Sequence, residues 1–488
     1  MRHIFTRRLS LMAVAMAAVS VVFLSSGRVT LAGEPVQETA DGVIKLLSSG
    51  AESRFPDAVR FFAEVESVNG IQDIRVNFSE GARGVGQYNY IDLPKGAIGL
   101  VSGEFLQKIN TPDRYMPPGS RVRFNFEITD KAGNKLTTDK REIIVTDGRP
   151  KFKWETVTQG PITVYYSGPI QTRAERLAVA ANAVLKKMAP VTGAETVTPV
   201  TITLYANNAD MIGAIQTSSA AAARELITEG QAFAANNVVL VLAGNRDIGS
   251  VSHELTHVLV GRAAGLGTFV PTWLNEGLAE YGNLDPGVSY DRFLEWGVDT
   301  NRITPLWKLG SFPGDPNLII LSYGQARSVV NYMVTKYGPE KMAKLLAALG
   351  EARPIETALQ QTYGLGLRQL DAEWRQHAGA EPYVEPTPAP TPTPGKQVAK
   401  VSPPLAPYSL TPQPGEAPTA APTATVPSAA DTPVPSPAPE ETTAAKPGGG
   451  CSRSSRGGVE ASSIGGLLAL AGIAGYRSTR RRRNQPPT

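Results

Sequence analysis

Cysteine, histidine and long apolar runs are all scarce in this chain of 488 residues. The one cysteine, Cys451, excludes an intramolecular disulfide and a cysteine-rich structural zinc site. The four histidines leave few candidates for metal binding. The apolar runs at 9–24 and 461–476 lie near the chain ends, and the second is short for a stable membrane span. The residues between them are numerous enough for two or three globular domains.

The formal net charge of +4 comes from the two ends of the chain. Residues 1–32 hold four arginines and no acidic residue, and residues 451–488 hold seven arginines and one glutamate. Without these segments, 37 basic and 43 acidic residues remain, a net charge of −6. This balance gives no support for a nucleic-acid partner, which would favour a basic protein body.

Residues 1–32 predict a signal peptide and therefore export. Arg2, Arg7 and Arg8 precede the apolar run at 9–24, and small residues surround Ala32, where we expect cleavage. The alternative is an uncleaved amino-terminal anchor, because the apolar run is nearly long enough to cross a bilayer.

The carboxyl-terminal part of the chain predicts a stalk and a membrane anchor. Residues 381–449 are rich in proline and threonine and predict a disordered, extended spacer. Residues 450–488 contain Cys451 after three glycines, a short apolar run and an arginine cluster, and they resemble a bacterial sorting signal. That resemblance implies a sortase-like processing enzyme. A permanent single-pass anchor remains the alternative, and either one would leave the preceding residues outside the cell.

Residues 33–150 predict an all-β, immunoglobulin-like sandwich. We expect it to act as a spacer, and substrate or wall binding is the alternative. Val122, Phe124, Phe126 and Ile128 alternate with polar residues, which is the period of a half-buried strand. Further strands are expected at 58–67, 71–80 and 143–145. Residues 151–380 change pattern, and we expect strands at 162–166 and 200–205 around a helix at 174–188. The predicted fold class is therefore α+β, with the β domain first.

The sequence H-E-L-T-H at 253–257 carries the strongest chemical signal. Residues four apart share a helix face, so His253 and His257 can bind one metal ion. Glu254 lies beside them, where a carboxylate can accept a proton from a metal-activated water. Glu276 follows His257 by nineteen positions, on a second helix that Pro271 begins, and can complete a three-ligand site.

H-E-L-T-H followed by W-L-N-E-G-L-A-E-Y resembles the gluzincins, the metallopeptidase clan of thermolysin and the alanyl aminopeptidases. The compact chain is most similar to the bacterial peptidase MA-like family. This resemblance implies Zn²⁺ held by His253, His257 and Glu276, with Glu254 as the general base. It also implies that Glu280 holds a ligand histidine through a hydrogen bond. A solvated surface acid is the plain alternative for Glu280.

Two further positions follow from the same resemblance. Tyr323, in a helix predicted to begin near Ser322, resembles the tyrosine that donates to the oxyanion in these aminopeptidases, although a packing role is equally open. Residues 230–234 correspond to the family's G-x-M-E-N strand but contain no acid, which argues against aminopeptidase specificity. We expect residues 238–242 to form the edge strand that pairs with an extended peptide.

The predicted function is an exported, surface-anchored zinc peptidase of bacterial type that acts on peptides or proteins. The alternative is an inactive pseudopeptidase that serves as a surface binding protein. The intact ligand positions and the intact base favour the enzyme.

Overall fold

The computed structural model describes residues 43–385, except 82–83, 85, 95–98, 112–113 and 216–228, together with 25–28 and 38–40. The strands are β1 (Ser25–Arg28), β2 (Glu38–Ala40), β3 (Ile44–Arg54), β4 (Ala58–Ser67), β5 (Ile71–Glu80), β6 (Gly86–Tyr90), β7 (Gly99–Lys108), β8 (Asn110–Thr111), β9 (Arg114–Tyr115), β10 (Arg121–Asp130), β11 (Lys135–Thr137), β12 (Arg141–Ile144), β13 (Trp154–Gln159), β14 (Ile162–Ser167), β15 (Val200–Tyr205), β16 (Gly230–Phe233) and β17 (Val238–Leu242). The helices are α1 (Gln171–Thr192), α2 (Asn208–Ile212), α3 (Asp247–Ala264), α4 (Thr272–Gly282), α5 (Tyr290–Asp299), α6 (Pro316–Tyr337), α7 (Pro339–Gly350), α8 (Ile355–Tyr363) and α9 (Leu367–Ala378).

Two antiparallel sheets form the amino-terminal part of the molecule. One sheet has the order β2-β3-β4-β7, and the other has the order β11-β10-β5-β6, with β12 also paired to β10. Their alternating apolar residues meet in one core, where the ring of Phe61 contacts that of Phe124 with centroids 5.6 Å apart. The alternation predicted for 121–130 is confirmed, because Val122, Phe124, Phe126 and Ile128 are all buried.

A six-stranded mixed sheet follows, in the order β1-β13-β14-β15-β17-β16. The inner strands β14, β15 and β17 run parallel, and the outer strands run antiparallel to their neighbours. Every residue of β15 is buried, as expected for a strand that is covered on both faces.

The two faces of this sheet belong to different cores. Ile202 and Val239 face the helices, including α1 and α3, in one core. Tyr205 and Val238 face the other way and join the core of the amino-terminal sheets. Thr203 Oγ1 on this second face donates to the carbonyl oxygen of Pro118 at 3.0 Å. The β domain therefore covers a face of the six-stranded sheet, a role beyond the spacing expected from the sequence.

Among the described residues, no helix is both long and apolar enough to cross a membrane. The predicted apolar runs at 9–24 and 461–476 lie outside the described residues, as do most of the predicted stalk and the sorting signal. Strand β1 falls within the segment predicted to be the signal peptide.

Candidate metal centre and active site

Helix α3 places the H-E-L-T-H residues in the interior of the molecule. Its apolar residues, which include Val251, Leu255 and Val258, pack into the helical core, and the turns between them present the polar residues on the opposite side. His253, Glu254 and His257 are all buried, with residue exposures of 9%, 6% and 8%. Burial of three ionisable groups in adjacent turns demands partners for each of them.

Helix α4 approaches α3 and α6 closely because it carries glycine at two contact points. A Cβ on Gly277 would lie 2.5 Å from the carbonyl oxygen of Ala326 on α6. A Cβ on Gly282 would overlap Thr256 Oγ1 on α3. The absence of side chains at these positions allows the backbone contacts that bring Glu276 to the histidines.

The three predicted ligands converge on one point. His253 Nε2 and His257 Nε2 lie 3.1 Å apart, and Glu276 Oε2 lies 3.4 Å and 3.7 Å from them respectively. Three ligand atoms from these residues all fall within 4.8 Å of one another. The set of two imidazoles and one carboxylate is that of known catalytic zinc sites.

Each histidine is oriented by a hydrogen bond from its other ring nitrogen. His253 Nδ1–H donates to Glu280 Oε1 at 2.9 Å, and His257 Nδ1–H donates to Asn275 Oδ1 at 3.0 Å. Because each Nδ1 is used in a hydrogen bond, both Nε2 atoms turn towards the same point and can bind one cation. The residues therefore fit a bound metal ion.

Glu280 thus lies where the sequence predicted it, and it is buried rather than solvated. Asn283 Nδ2 donates to its second oxygen at 3.0 Å. Asn275 was missed by the sequence analysis. The sequence indicated this residue only through its position. Asn275 directly precedes Glu276 and lies between two buried residues of α4, Leu274 and Glu276.

Burial and neighbouring charges set the pKa values in the centre. Burial lowers the pKa of His253, but Glu280 and Glu276 outweigh that effect and hold it well above its usual value. Burial raises the pKa of Glu254, and the two histidines offset this only in part. Burial also raises the pKa of Glu276, yet the histidines prevail and keep it below its usual value. Glu254 is therefore a better proton acceptor than Glu276.

Tyr323 lies beside the metal ligands on α6. Its ring centroid is 6.3 Å from that of His253, and Phe312 packs edge-on against it at 4.9 Å. Burial, followed by the charges of Glu276 and Glu280, raises the pKa of Tyr323 above its usual value. The residue lies in the second turn of a helix that begins at Pro316, and not near the helix start as the sequence analysis expected.

A cleft opens beside the candidate metal site. It is lined by His253, Glu254, Glu280 and Tyr323, together with Glu229, Gly230, Arg246, Gly249, Ser250, Asn283, Asp285 and Pro286. The cleft therefore gives a substrate access to the buried ligand histidine and to the adjacent carboxylate.

The edge strand beside the cleft differs from the predicted one. Residues 238–242 form β17, which lies between β15 and β16, so the expectation of an edge strand there is wrong. Among the described residues the edge strand is β16, and the backbone N–H of Ala232 on this strand donates to the Glu254 carboxylate. A run of apolar residues is typical of a strand with two neighbours and two buried faces, and this explains the error.

Comparison with known proteins supports the family suggested by this geometry. Residues 180–380 match the Peptidase MA superfamily. No curated protein sequence matches the chain.

Solved structures give distant likenesses. The M1 zinc metallopeptidase of Deinococcus radiodurans is 12% identical and covers 68% of this chain and 92% of its own, with a TM-score of 0.26. A mutant of that enzyme bound to a Tyr-Ser-Ala substrate is 13% identical over the same shares, with a TM-score of 0.29. A bromine derivative of BhCBM56 is 13% identical and covers 22% of this chain and 97% of its own, with a TM-score of 0.16.

The helices that carry the candidate ligands, α3 and α4, both lie within the residues that match the superfamily, 180–380. The spacing of the histidine pair and the later glutamate is that of the gluzincins. Residues 180–380 therefore carry a Peptidase MA superfamily domain.

Proposed function

We propose that this protein is an exported, surface-anchored zinc peptidase that hydrolyses peptide bonds with Glu254 as the general base. The observation that supports the proposal most directly is the convergence of His253, His257 and Glu276 beside a buried, cleft-lining Glu254. Two nitrogen ligands and one oxygen ligand suit Zn²⁺ and leave room for a fourth ligand.

Zinc bound by these residues would polarise the scissile carbonyl and lower the pKa of a water molecule. The Glu254 carboxylate would accept the proton of that water and pass it to the leaving amine. Its position in the cleft beside the candidate ligands supports this role, since a general base must lie within reach of the proton that it abstracts. The hydrogen bond from Ala232 holds the carboxylate in the cleft.

The Tyr323 hydroxyl would donate a hydrogen bond to the developing oxyanion. Its raised pKa keeps the hydroxyl protonated at neutral pH, and its contact with Phe312 restricts the ring. The position of Tyr323 on the wall of the cleft supports this role over a purely structural one.

The substrate would bind as an extended strand along β16. In the part of the sheet that the structure describes, β16 has only β17 as a neighbour, so its other edge can pair with a peptide. Such pairing uses main-chain groups and would tolerate many sequences. The acid expected in this strand for recognition of a free amino terminus is absent, which favours an endopeptidase or oligopeptidase.

The amino-terminal β domain would be an immunoglobulin-like sandwich. The orders β3-β4-β7 and β10-β5-β6, in two facing antiparallel sheets, support this assignment. The signal peptide at 1–32 and the sorting segment at 450–488 support an outer-surface location, with the stalk at 381–449 as the tether.

The test is to measure the zinc content and peptidase activity of Glu254→Gln. Glutamine keeps the shape of the side chain but accepts no proton, so zinc content should be unchanged and turnover should fall by about 10²–10⁴-fold. Turnover would be followed with casein and with quenched peptides, with and without a chelator. Glu340→Gln, which changes an exposed acid on α7, is the matched control.

Wild-type rates in Glu254→Gln would refute the role of Glu254. An inert wild-type protein that still binds one equivalent of zinc would support the pseudopeptidase instead.

A further inference from the structure

Two tyrosines stand exposed on β6, away from the residues that line the catalytic cleft. Tyr88 is 61% exposed and Tyr90 is 48% exposed. Because they are two residues apart on a strand, they point to the same side of the sheet. Their ring centroids lie 6.2 Å apart with an interplanar angle of 84°, so the rings form a corner. Exposed aromatic pairs are costly to solubility and commonly mark a binding surface.

The neighbouring strand places polar side chains beside these rings. Arg75 of β5 lies opposite Tyr90, and Asn77 lies opposite Tyr88, on the outward side of the sheet. Arg75 in turn lies opposite Glu127 of β10. We call these five residues the tyrosine face.

The polar groups of the tyrosine face are held in place by one another. Arg75 Nε donates to Asn77 Oδ1 at 2.8 Å, and Asn77 Nδ2 donates to Glu127 Oε1 at 2.9 Å. The Arg75 guanidinium also lies over the Tyr88 ring, 4.7 Å from its centroid. A ligand would therefore meet a preorganised surface, which lowers the entropic cost of binding.

Within the five residues of the tyrosine face the charges balance, because Arg75 and Glu127 are its one basic and one acidic residue and lie 3.8 Å apart. A polyanion such as a nucleic acid needs an excess of positive charge, and a basic peptide needs an excess of negative charge. The complementary partner is uncharged.

We propose that the tyrosine face binds a neutral polysaccharide. A sugar ring has an apolar C–H face and a rim of hydroxyl groups. The C–H face would pack on the Tyr88 or Tyr90 ring, whose own hydroxyl provides a polar edge. Amide, guanidinium and carboxylate groups of Asn77, Arg75 and Glu127 would exchange hydrogen bonds with the hydroxyl rim. The partner of this site is thus a glycan, independent of the peptide substrate.

The test is affinity electrophoresis of the full chain in gels that contain cellulose derivative, amylose or mannan, with dextran sulfate as the charged polymer. We expect retardation by at least one neutral polymer. Tyr88→Ala with Tyr90→Ala should weaken that binding by about 5- to 100-fold, since each aromatic contact contributes a factor of roughly 2 to 10. Peptidase activity should be unchanged in this variant and reports that it is folded.

Leu100→Ala with Leu106→Ala is the matched control, because these residues are 53% and 45% exposed on β7 of the other sheet. This control should bind the polymer like the wild type. If the double tyrosine variant does not fold, Tyr88→Ala alone replaces it.

Absence of retardation by every neutral polymer, or retardation by dextran sulfate alone, would overturn the proposal. Equal retardation of the wild type and the tyrosine variant would also overturn it. A tyrosine variant that cleaves a folded protein more slowly, with unchanged behaviour in the gels, would assign the face to a protein partner instead.

Discussion

At the residue scale, the two ligand histidines differ in the group that accepts their Nδ1 proton. His253 donates to a carboxylate, Glu280, whereas His257 donates to an amide, Asn275. A carboxylate makes its histidine more electron-rich, and an amide fixes the ring with little added charge. The site therefore combines a more electron-rich imidazole, that of His253, with a less electron-rich one, that of His257. Glu276 supplies the formal negative charge.

We expect Asn275→Ala to weaken zinc binding by about 10–100-fold, because His257 loses the acceptor that fixes its tautomer. Asn275→Asp should restore most of the affinity, since it keeps an acceptor oxygen in place. The measurement is a zinc titration in competition with a chelator. Identical affinities for wild type and Asn275→Ala would show that helix packing alone orients His257.

Tyr323→Phe should lower kcat by about 10²–10³-fold and leave zinc affinity unchanged, because it removes one oxyanion donor and keeps the ring. Tyr332→Phe is the control, since Tyr332 lies on the same helix and approaches Glu373 rather than the metal ligands. Steady-state kinetics with a quenched peptide provides the measurement. An unaltered kcat would leave Tyr323 a packing residue against Phe312.

At the scale of elements, periodicity predicted several of the longer strands and failed at the start of α6 and at sheet order. Strands at 58–67, 71–80 and 200–205 are confirmed at their predicted bounds, because alternation or continuous apolarity marks them clearly. The start of α6 was missed, although Asp315 before Pro316 is a capping signal, and its carboxylate accepts from the backbone of Leu318. Sheet order depends on contacts between distant residues, which periodicity does not report.

The turn between β10 and β11 depends on one buried carboxylate, that of Asp130. It accepts from the backbone N–H groups of Ala132 and Asn134 at 3.0 Å and 2.8 Å, and from the Asn69 amide at 2.8 Å. Burial raises the pKa of Asp130, but the hydrogen bonds from Asn134 and Asn69 outweigh it and lower the pKa to about 2.

A lowered pKa in the folded state means that Asp130 stabilises the fold above its unfolded pKa of 3.8 and loses that effect as the pH falls towards 2. We expect Asp130→Asn to be less stable than wild type at neutral pH. The difference between the two free energies of unfolding should narrow as the pH falls from 3.8 towards 2. Urea unfolding at several pH values measures this difference, and Asp139→Asn, at an exposed position, is the control. A difference that stays constant with pH would refute the role of the charged form.

At the scale of the whole molecule, the candidate metal site was predictable from the sequence and the arrangement of domains was not. His253, His257 and Glu276 follow a fixed spacing, which two adjacent helices convert into a site. Thr203 and Tyr205 lie on one face of β15, and the residue pattern of this strand does not indicate that this face contacts a different domain. That contact depends on shape complementarity between surfaces far apart in the chain.

Deletion of residues 450–488 should release active enzyme into the medium, since the catalytic residues lie upstream of this segment and within residues 180–380. Fractionation of the native host, with peptidase activity measured in medium and in membranes, tests this prediction. Cys451→Ala in the full chain is the companion variant and should alter processing or retention. A truncated protein that stays bound to the cell would identify residues 9–24 as an uncleaved anchor.

The shared core on the second face of the six-stranded sheet limits how freely this protein can be rearranged in evolution. Tyr205 and Val238 would lose their cover if the β domain were removed, and an apolar sheet face would meet water. Gene fusions that exchange the β domain for another would therefore have to supply a matching apolar surface. Inheritance of both domains together is the arrangement that this interface favours.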